Sequence, residues 1–212
     1  MVRPVKEAAA PPLGFMTNRH LFELLNAAPK LDALHLGVAL FLAQWVIYLV
    51  PLAVAIGWLR GDVATKRELL RVLAAVMVSL AVAQIVAHLW PQPRPFTLHL
   101  GTQYLTHSPD PGMPSDHVTV IWTFALWALT SARFGLWGFP LLALGLAVGW
   151  SRVYLGVHFP FDILAALPVA LGGVLIVRAL RQVLLRPESI FLSLYDDCAK
   201  RLNAKLASTR KT

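Results

Sequence analysis

Cysteine is almost absent from this chain. Cys198 is the only one in 212 residues, so no intramolecular disulfide can form. Charge is scarce as well: 14% of residues are Asp, Glu, Lys or Arg, against about 25% in a soluble domain. Acids are the rarer sign, 11 against 19 bases, leaving a net charge of +8. The first 33 residues contain no apolar run of signal-peptide length, and Arg3, Lys6, Arg19, Glu23 and Lys30 interrupt their short apolar stretches. The first long apolar segment is therefore expected to act as its own insertion signal. What the chain has in quantity is hydrocarbon. Hydrophobic residues make up 57% of it and mean hydropathy is +0.62. These numbers exclude an ordinary soluble domain and describe an integral membrane protein. In a soluble protein a surplus of +8 would raise nucleic acid as a partner. Here the basic residues flank apolar segments, where they fix topology, so membrane lipid is the expected partner and nucleic acid is not.

Five segments approach the roughly 20 apolar residues needed to cross a bilayer: 34–59, 69–90, 117–133, 136–157 and 160–180. Their length, and the lack of period-two alternation, exclude strands. The expected fold is all-α, a polytopic membrane helical bundle of about five spans. An amphipathic N-terminal helix over 13–28 is expected to lie in the interface, with Thr17 or Asn18 as its cap. Residues 188–206 form a second amphipathic candidate. The chain divides into an N-terminal tail (1–33), a transmembrane domain (34–186) and a basic tail (187–212). No internal repeat is visible, and the only low-complexity tract is Ala8–Pro12.

Segment 91–116 is the long loop. Its six prolines block helix continuation and shape an irregular connection. With five spans, the N-terminus, this loop and the turn at 158 share one side. That side carries six Lys and Arg, and the opposite side thirteen. Basic residues stay cytoplasmic, so the loop is expected to face the periplasm or exterior of a bacterial inner membrane, with the tail in the cytoplasm.

Polar residues gather on the outward side: Arg94-Pro95 after the second span, Pro114-Ser115-Asp116-His117 before the third, and Ser151-Arg152, His158 and Asp162 around the fourth turn. Ionisable groups beside hydrocarbon point to function. Taken singly, each has a plainer reading. Arg94 could snorkel to headgroups, Pro114–His117 could simply cap a helix, and His158 with Asp162 could be a surface ion pair. Taken together they suit phosphoryl transfer. Arg94, Arg152 and backbone amides near Ser115 match phosphate oxygens. Asp162 can fix the tautomer of His158 and leave its other nitrogen to attack phosphorus, and His117 can supply a proton. Two arginines so close oppose a metal ion, so neither metal nor cofactor is expected.

These three motifs, in this order, resemble the signature of the type 2 phosphatidic acid phosphatase superfamily. The stretches Arg94-Pro95-Phe96, His107-Ser108-Pro109-Asp110 and Tyr154-Leu155-Gly156-Val157-His158 are most similar to the undecaprenyl-diphosphate phosphatases of bacitracin resistance. The resemblance implies an extracytoplasmic, metal-independent lipid phosphatase with a phosphohistidine intermediate. Its substrate would be a polyprenyl or phospholipid phosphate. Sibling activities on phosphatidylglycerophosphate, phosphatidate or lipid A, or phosphoryl transfer to another lipid, share the motifs. A non-catalytic lipid transporter would leave His158 and Asp162 without a role. Two positions depart from the pattern. Ala87 stands where the superfamily has a lysine, with Gln84, His88 and His107 as candidate replacements. Asp116 stands where the broad superfamily has glycine, and could either repel a phosphate or hold an arginine.

Overall fold

The computed structural model describes residues 13–209, with side chains described through Arg201 except that of Ala199. The Ala8–Pro12 tract, Arg3 and Lys6 lie outside the described residues, as do Arg210 and Lys211. Every regular element among the described residues is helical. Helix α1 (Leu13–Leu25) leads into a continuous rod, Ala33–Arg60, made of α2 (Ala33–Leu40), a π segment at Phe41–Trp45, a short 3-10 turn at Val46–Tyr48, and α3 (Leu49–Arg60). Then follow α4 (Val63–Leu89), α5 (Asp116–Leu129), α6 (Gly135–Tyr154), α7 (Pro160–Ala179) and α8 (Arg181–Thr209).

Four of these bodies are long and apolar enough to cross a membrane: Ala33–Arg60, α4, α6 and α7. The fifth expected span is α5, and it is shorter than expected. It stops at Leu129, where Thr130 turns its hydroxyl back to the carbonyls of Leu126 and Trp127. At about 1.5 Å per residue its 14 residues rise only about 21 Å. It can be short because it is the inner helix. Eight of its residues are buried, and it packs against α4, α6 and α7. The outer helices carry the lipid-facing surface, as in the exposed row Leu164, Leu167, Leu171 and Leu175 of α7.

Small residues let these helices approach closely. A Cβ at Gly145 of α6 would lie 2.3 Å from Trp122 Nε1 of α5. From the N-cap of α5 onward, polar side chains recur every fourth residue. Ser115 and Thr119 have buried hydroxyls, Thr123 donates to Ser79 Oγ of α4 (3.0 Å), and Trp127 Nε1 donates to Glu68 Oε2 (3.0 Å).

Three sequence expectations need correction. Thr17 and Asn18 do not cap α1, which already includes Leu13. They sit inside it, Thr17 donating to the Leu13 carbonyl and Asn18 accepting from Phe161 N. The helix also ends at Leu25 and not at 28, because Asn26 leaves it to bind the backbone of Thr102 and Tyr154. Helix α8 starts at Arg181 and not near 188, with Pro187 accommodated inside it. Buried Glu188 pairs with Arg71 at 2.7 Å and docks α8 onto α4.

Candidate active site

The site lies at one end of the bundle, where α4 and α6 finish and α5 and α7 begin. Helix α1 ties this end together. Phe22, fully buried, meets Phe159 edge to face at 5.3 Å. Gly156 adopts φ +82° beside the Thr102 carbonyl, a position closed to a side chain.

His158 sits in the turn between α6 and α7. Pro160 starts α7 at the position where proline costs no hydrogen bond. Asp162, one turn in, accepts from Phe159 N at 2.8 Å, which caps the helix and fixes the carboxylate. The same oxygen, Oδ2, lies 3.2 Å from His158 Nδ1. The opposite ring nitrogen, Nε2, lies 3.1 Å from Arg94 Nη1. One tautomer satisfies both contacts: Nδ1–H donates to Asp162, and Nε2 accepts from Arg94. Burial pushes the imidazole well below its ordinary pKa, and the cations Arg152 and Arg94 push it further. A neutral imidazole so oriented can act as a nucleophile once Arg94 releases its nitrogen.

Arg94 is 5% exposed and densely engaged. Nε donates to both the carbonyl and the carboxylate of Asp110 (3.0 and 3.1 Å). Nη1 also donates to the Val157 carbonyl at 3.0 Å, and Nη2 to that of Pro111 at 3.4 Å. Burial opposes the Asp110 charge, but Arg94 and the Ser108 hydroxyl outweigh it and hold the carboxyl below its usual range. Sequence reasoning quotes Asp110 in the His107–Asp110 stretch but gives it no role. Its signal was an acid in a proline-rich loop, which alone names no partner. Gly112 keeps the loop close: a Cβ there would come within 3.0 Å of Asp162 Oδ2.

Arg152, in the last turn of α6, is 3% exposed. Its Nη1 donates to the Ala43 carbonyl at 3.1 Å, within the π segment of the first rod. The π geometry shifts the hydrogen-bond ladder where this carbonyl is used, a common device at functional sites. Arg152 Nε has no partner among the described residues.

A cavity of about 160 Å³ unites these groups. Arg94, Arg152, His117, His158 and Asp116 line it, along with Ala87, Gln84, His107 and Asp110. His107 stands edge to face with His158 at 6.2 Å, its own pKa lowered by burial and by Arg94. Among the candidates to replace a cation at Ala87, Gln84 and His107 reach the cavity. His88 does not line it and is exposed. Ala83, Gln84 and Ala87 define the cavity face of α4, and His88 projects about 90° away from the middle of that face. Asp116 holds no arginine among the described residues. Its nearest polar contact is Gln84 Nε2 at 3.5 Å. Ser115 is fully buried and does not line the cavity. Its N–H donates to the Asp162 carbonyl, and its hydroxyl is unpartnered among the described residues. The amides near Ser115 that the sequence reading set against phosphate thus reach the cavity through the neighbouring residues Pro114, Asp116 and His117, which line it.

The chain is similar to known lipid phosphatases. The family profile described as PAP2 superfamily matches residues 68–187. YbjG of Escherichia coli (strain K12), provisionally named an undecaprenyl-diphosphatase, is 40% identical over 168 residues, covering 79% of this chain and 84% of that protein. The undecaprenyl-diphosphatase BcrC of Bacillus subtilis (strain 168) is 26% identical over 154 residues, 73% of this chain and 79% of that one. Among solved structures, a transmembrane PAP2-type phosphatidylglycerolphosphate phosphatase from Bacillus subtilis superposes with a TM-score of 0.60. It is 20% identical and covers 84% of this chain and 91% of that chain.

Proposed function

Because the chain belongs to the PAP2 superfamily and is an integral membrane lipid phosphatase, we propose that it hydrolyses undecaprenyl diphosphate to undecaprenyl phosphate through a phosphohistidine intermediate. The observation that carries this reading is His158, held by Asp162 through Nδ1 and facing Arg94 through Nε2, in one cavity with Arg152 and His117. The undecaprenyl-diphosphatase names of the relatives guide the choice of lipid.

In this mechanism Arg94 moves its N–H donors from His158 Nε2 to the terminal phosphate, and Arg152 offers its unpartnered Nε from the other side. His158 Nε2 then attacks the terminal phosphorus in line. The bond from phosphorus to the bridging oxygen breaks, and His117 donates a proton to the departing lipid phosphate. A water, deprotonated by His117, next attacks phosphohistidine. The P–N bond breaks and inorganic phosphate leaves. Two guanidiniums stabilise the equatorial oxygens in both steps. The residues supply both charge and proton transfer, so no metal is required.

The bias of basic residues supports an active site at the periplasmic or exterior face of the inner membrane. There the enzyme would regenerate carrier lipid released by envelope polymer synthesis. The test is a panel of undecaprenyl diphosphate, phosphatidylglycerophosphate, phosphatidate and lipid A, offered to the purified protein in chelator. We expect phosphate release with the highest kcat/KM on the polyprenyl diphosphate, blocked by vanadate. Higher kcat/KM on phosphatidylglycerophosphate would reassign the substrate. Activity lost in chelator and restored by a divalent metal would overturn the mechanism.

A further inference from the structure

The end of the bundle remote from His158 holds a second polar cavity that the proposed chemistry does not use. It has two lobes, of about 200 and 310 Å³, which share Glu68, Arg71, Ser131, Ala132 and Arg181. Helices α4, α7 and α8 and the turn after α5 form the walls.

Its charges do not cancel. Arg71 is committed to Glu188 through two bonds of 2.8 and 2.7 Å. Arg133 is committed to Asp62 at 3.0 Å and Thr65 at 3.1 Å. Among the described residues Arg67, Arg178 and Arg181 remain, and Glu68 is the only carboxylate in the lining. Glu68 is itself occupied, accepting from Arg71 at 3.4 Å and Trp127 Nε1 at 3.0 Å. Arg178 is mounted rather than loose. Its guanidinium stacks over the Trp127 ring at 4.4 Å and donates to the Trp127 carbonyl at 3.3 Å. Its Nε is buried without a partner among the described residues. A basic residue that only marks membrane topology points to water and needs no such mount.

We infer that this cavity binds a phosphate group, with Arg178, Arg181 and Arg67 as its ligands. Guanidinium forks suit tetrahedral oxyanions, and the lining offers a net surplus of cation in a recess that partly excludes water. The phosphate could belong to the headgroup of an anionic phospholipid in the adjoining leaflet or be free in solution. Both share the same chemistry at the arginines. The inference does not depend on the reaction at His158 or on which end faces the cytoplasm.

The test uses the full chain in nanodiscs and in detergent. Native mass spectrometry would count bound phosphatidylglycerol and phosphatidylcholine on the wild type, on Arg178→Gln, and on the double variant Arg67→Gln/Arg181→Gln. The double variant changes only exposed residues, so it keeps the test open if Arg178→Gln does not fold. Arg186→Gln, exposed on α8 and outside the lining, is the control. We expect phosphatidylglycerol retention to fall at least tenfold in the double variant, with phosphatidylcholine and the control unchanged. In detergent, inorganic phosphate should raise the melting temperature of the wild type more than that of the double variant, whose His158 cavity is intact, if the ligand is free phosphate. If only the lipid responds, the ligand is a headgroup. Equal phosphatidylglycerol retention by wild type and double variant together with an equal melting response of both to inorganic phosphate, or an equal loss in Arg186→Gln, would overturn the site.

Discussion

Arg94 Nη1 lies 3.1 Å from His158 Nε2, so the arginine covers the nitrogen proposed to attack phosphorus. The two side chains are 64 positions apart in sequence and both are buried. In the proposed mechanism, the cation that binds phosphate and the nucleophile thus satisfy one another. A phosphate entering the cavity offers Arg94 better acceptors, and the same movement bares the imidazole. Binding and activation are then one event.

That relationship makes Asp110 a positioning residue. It holds Arg94 Nε through carbonyl and carboxylate, and is itself half exposed. Asp110→Ala is expected to lower kcat/KM about tenfold, the cost of one charge-assisted bond, with little change in melting temperature. Asp110→Asn retains an acceptor for Nε and should recover much of the loss. Equal kinetics in all three proteins would show that Arg94 needs no such guide.

Parts of this site were legible in the chain because they are local. His158 and Asp162 are four residues apart, and Pro160 between them starts a helix, so their contact follows from helical geometry. The five apolar segments gave the bundle for the same reason. Long-range features were not legible. Nothing in the Phe41–Trp45 sequence announces that its π turn supplies a carbonyl to Arg152. Asp110 gains meaning only when the loop folds back on Arg94. His88 failed as a candidate because the cavity face of α4 is set by what packs there, and that face passes through Ala83 and Ala87. Nor does the sequence announce that the Ser115 amide donates to the Asp162 carbonyl, a contact between helix starts far apart in the chain.

His158→Ala is expected to abolish turnover and phosphoenzyme formation, by more than about 10³-fold, while the protein still inserts. Asp162→Asn separates orientation from folding. Phe159 N and His158 Nδ1 share one oxygen, Oδ2, so an asparagine that turns its amide oxygen there keeps the cap of α7 but offers Nδ1–H only an uncharged acceptor. A loss of about 10²–10⁴-fold in kcat with a near-normal melting temperature is expected, by analogy with other carboxylate–imidazole pairs. Retained activity in Asp162→Asn would mean that the carboxylate serves only the helix cap.

The pH dependence follows from the sign of the His158 shift. Its pKa is lowered, by burial first and then by Arg152 and Arg94. The neutral, nucleophilic form therefore persists below the ordinary imidazole value of 6.5. The rate of phosphoenzyme formation in a single turnover should stay level as pH falls through 6.5 and decline only further down. Stability follows the same sign. The unfolded chain takes up the proton at higher pH than the folded one, so this residue's contribution is lost as pH falls below 6.5 toward the folded value. An acid limb at or above 6.5 in the single-turnover rate would contradict a buried neutral nucleophile.

Sidedness can be read with the one native thiol. Cys198 is exposed on α8, at the end of the bundle with Arg71, Arg178 and Arg181. Thr106 is exposed in the loop that covers His158. With thirteen basic residues on the first side and six on the second, the positive-inside rule assigns Cys198 to the cytoplasm and Thr106 to the exterior. A membrane-impermeant maleimide applied to intact cells, with any outer membrane permeabilised, should therefore spare wild-type Cys198 and label Thr106→Cys in a Cys198→Ser background. Lysed cells should show both labelled, which establishes that each thiol can react. The opposite pattern in intact cells would put the His158 cavity on the cytoplasmic face. Carrier lipid would then have to flip inward before its diphosphate could be cleaved, and recycling at the outer surface could no longer be the role of this site.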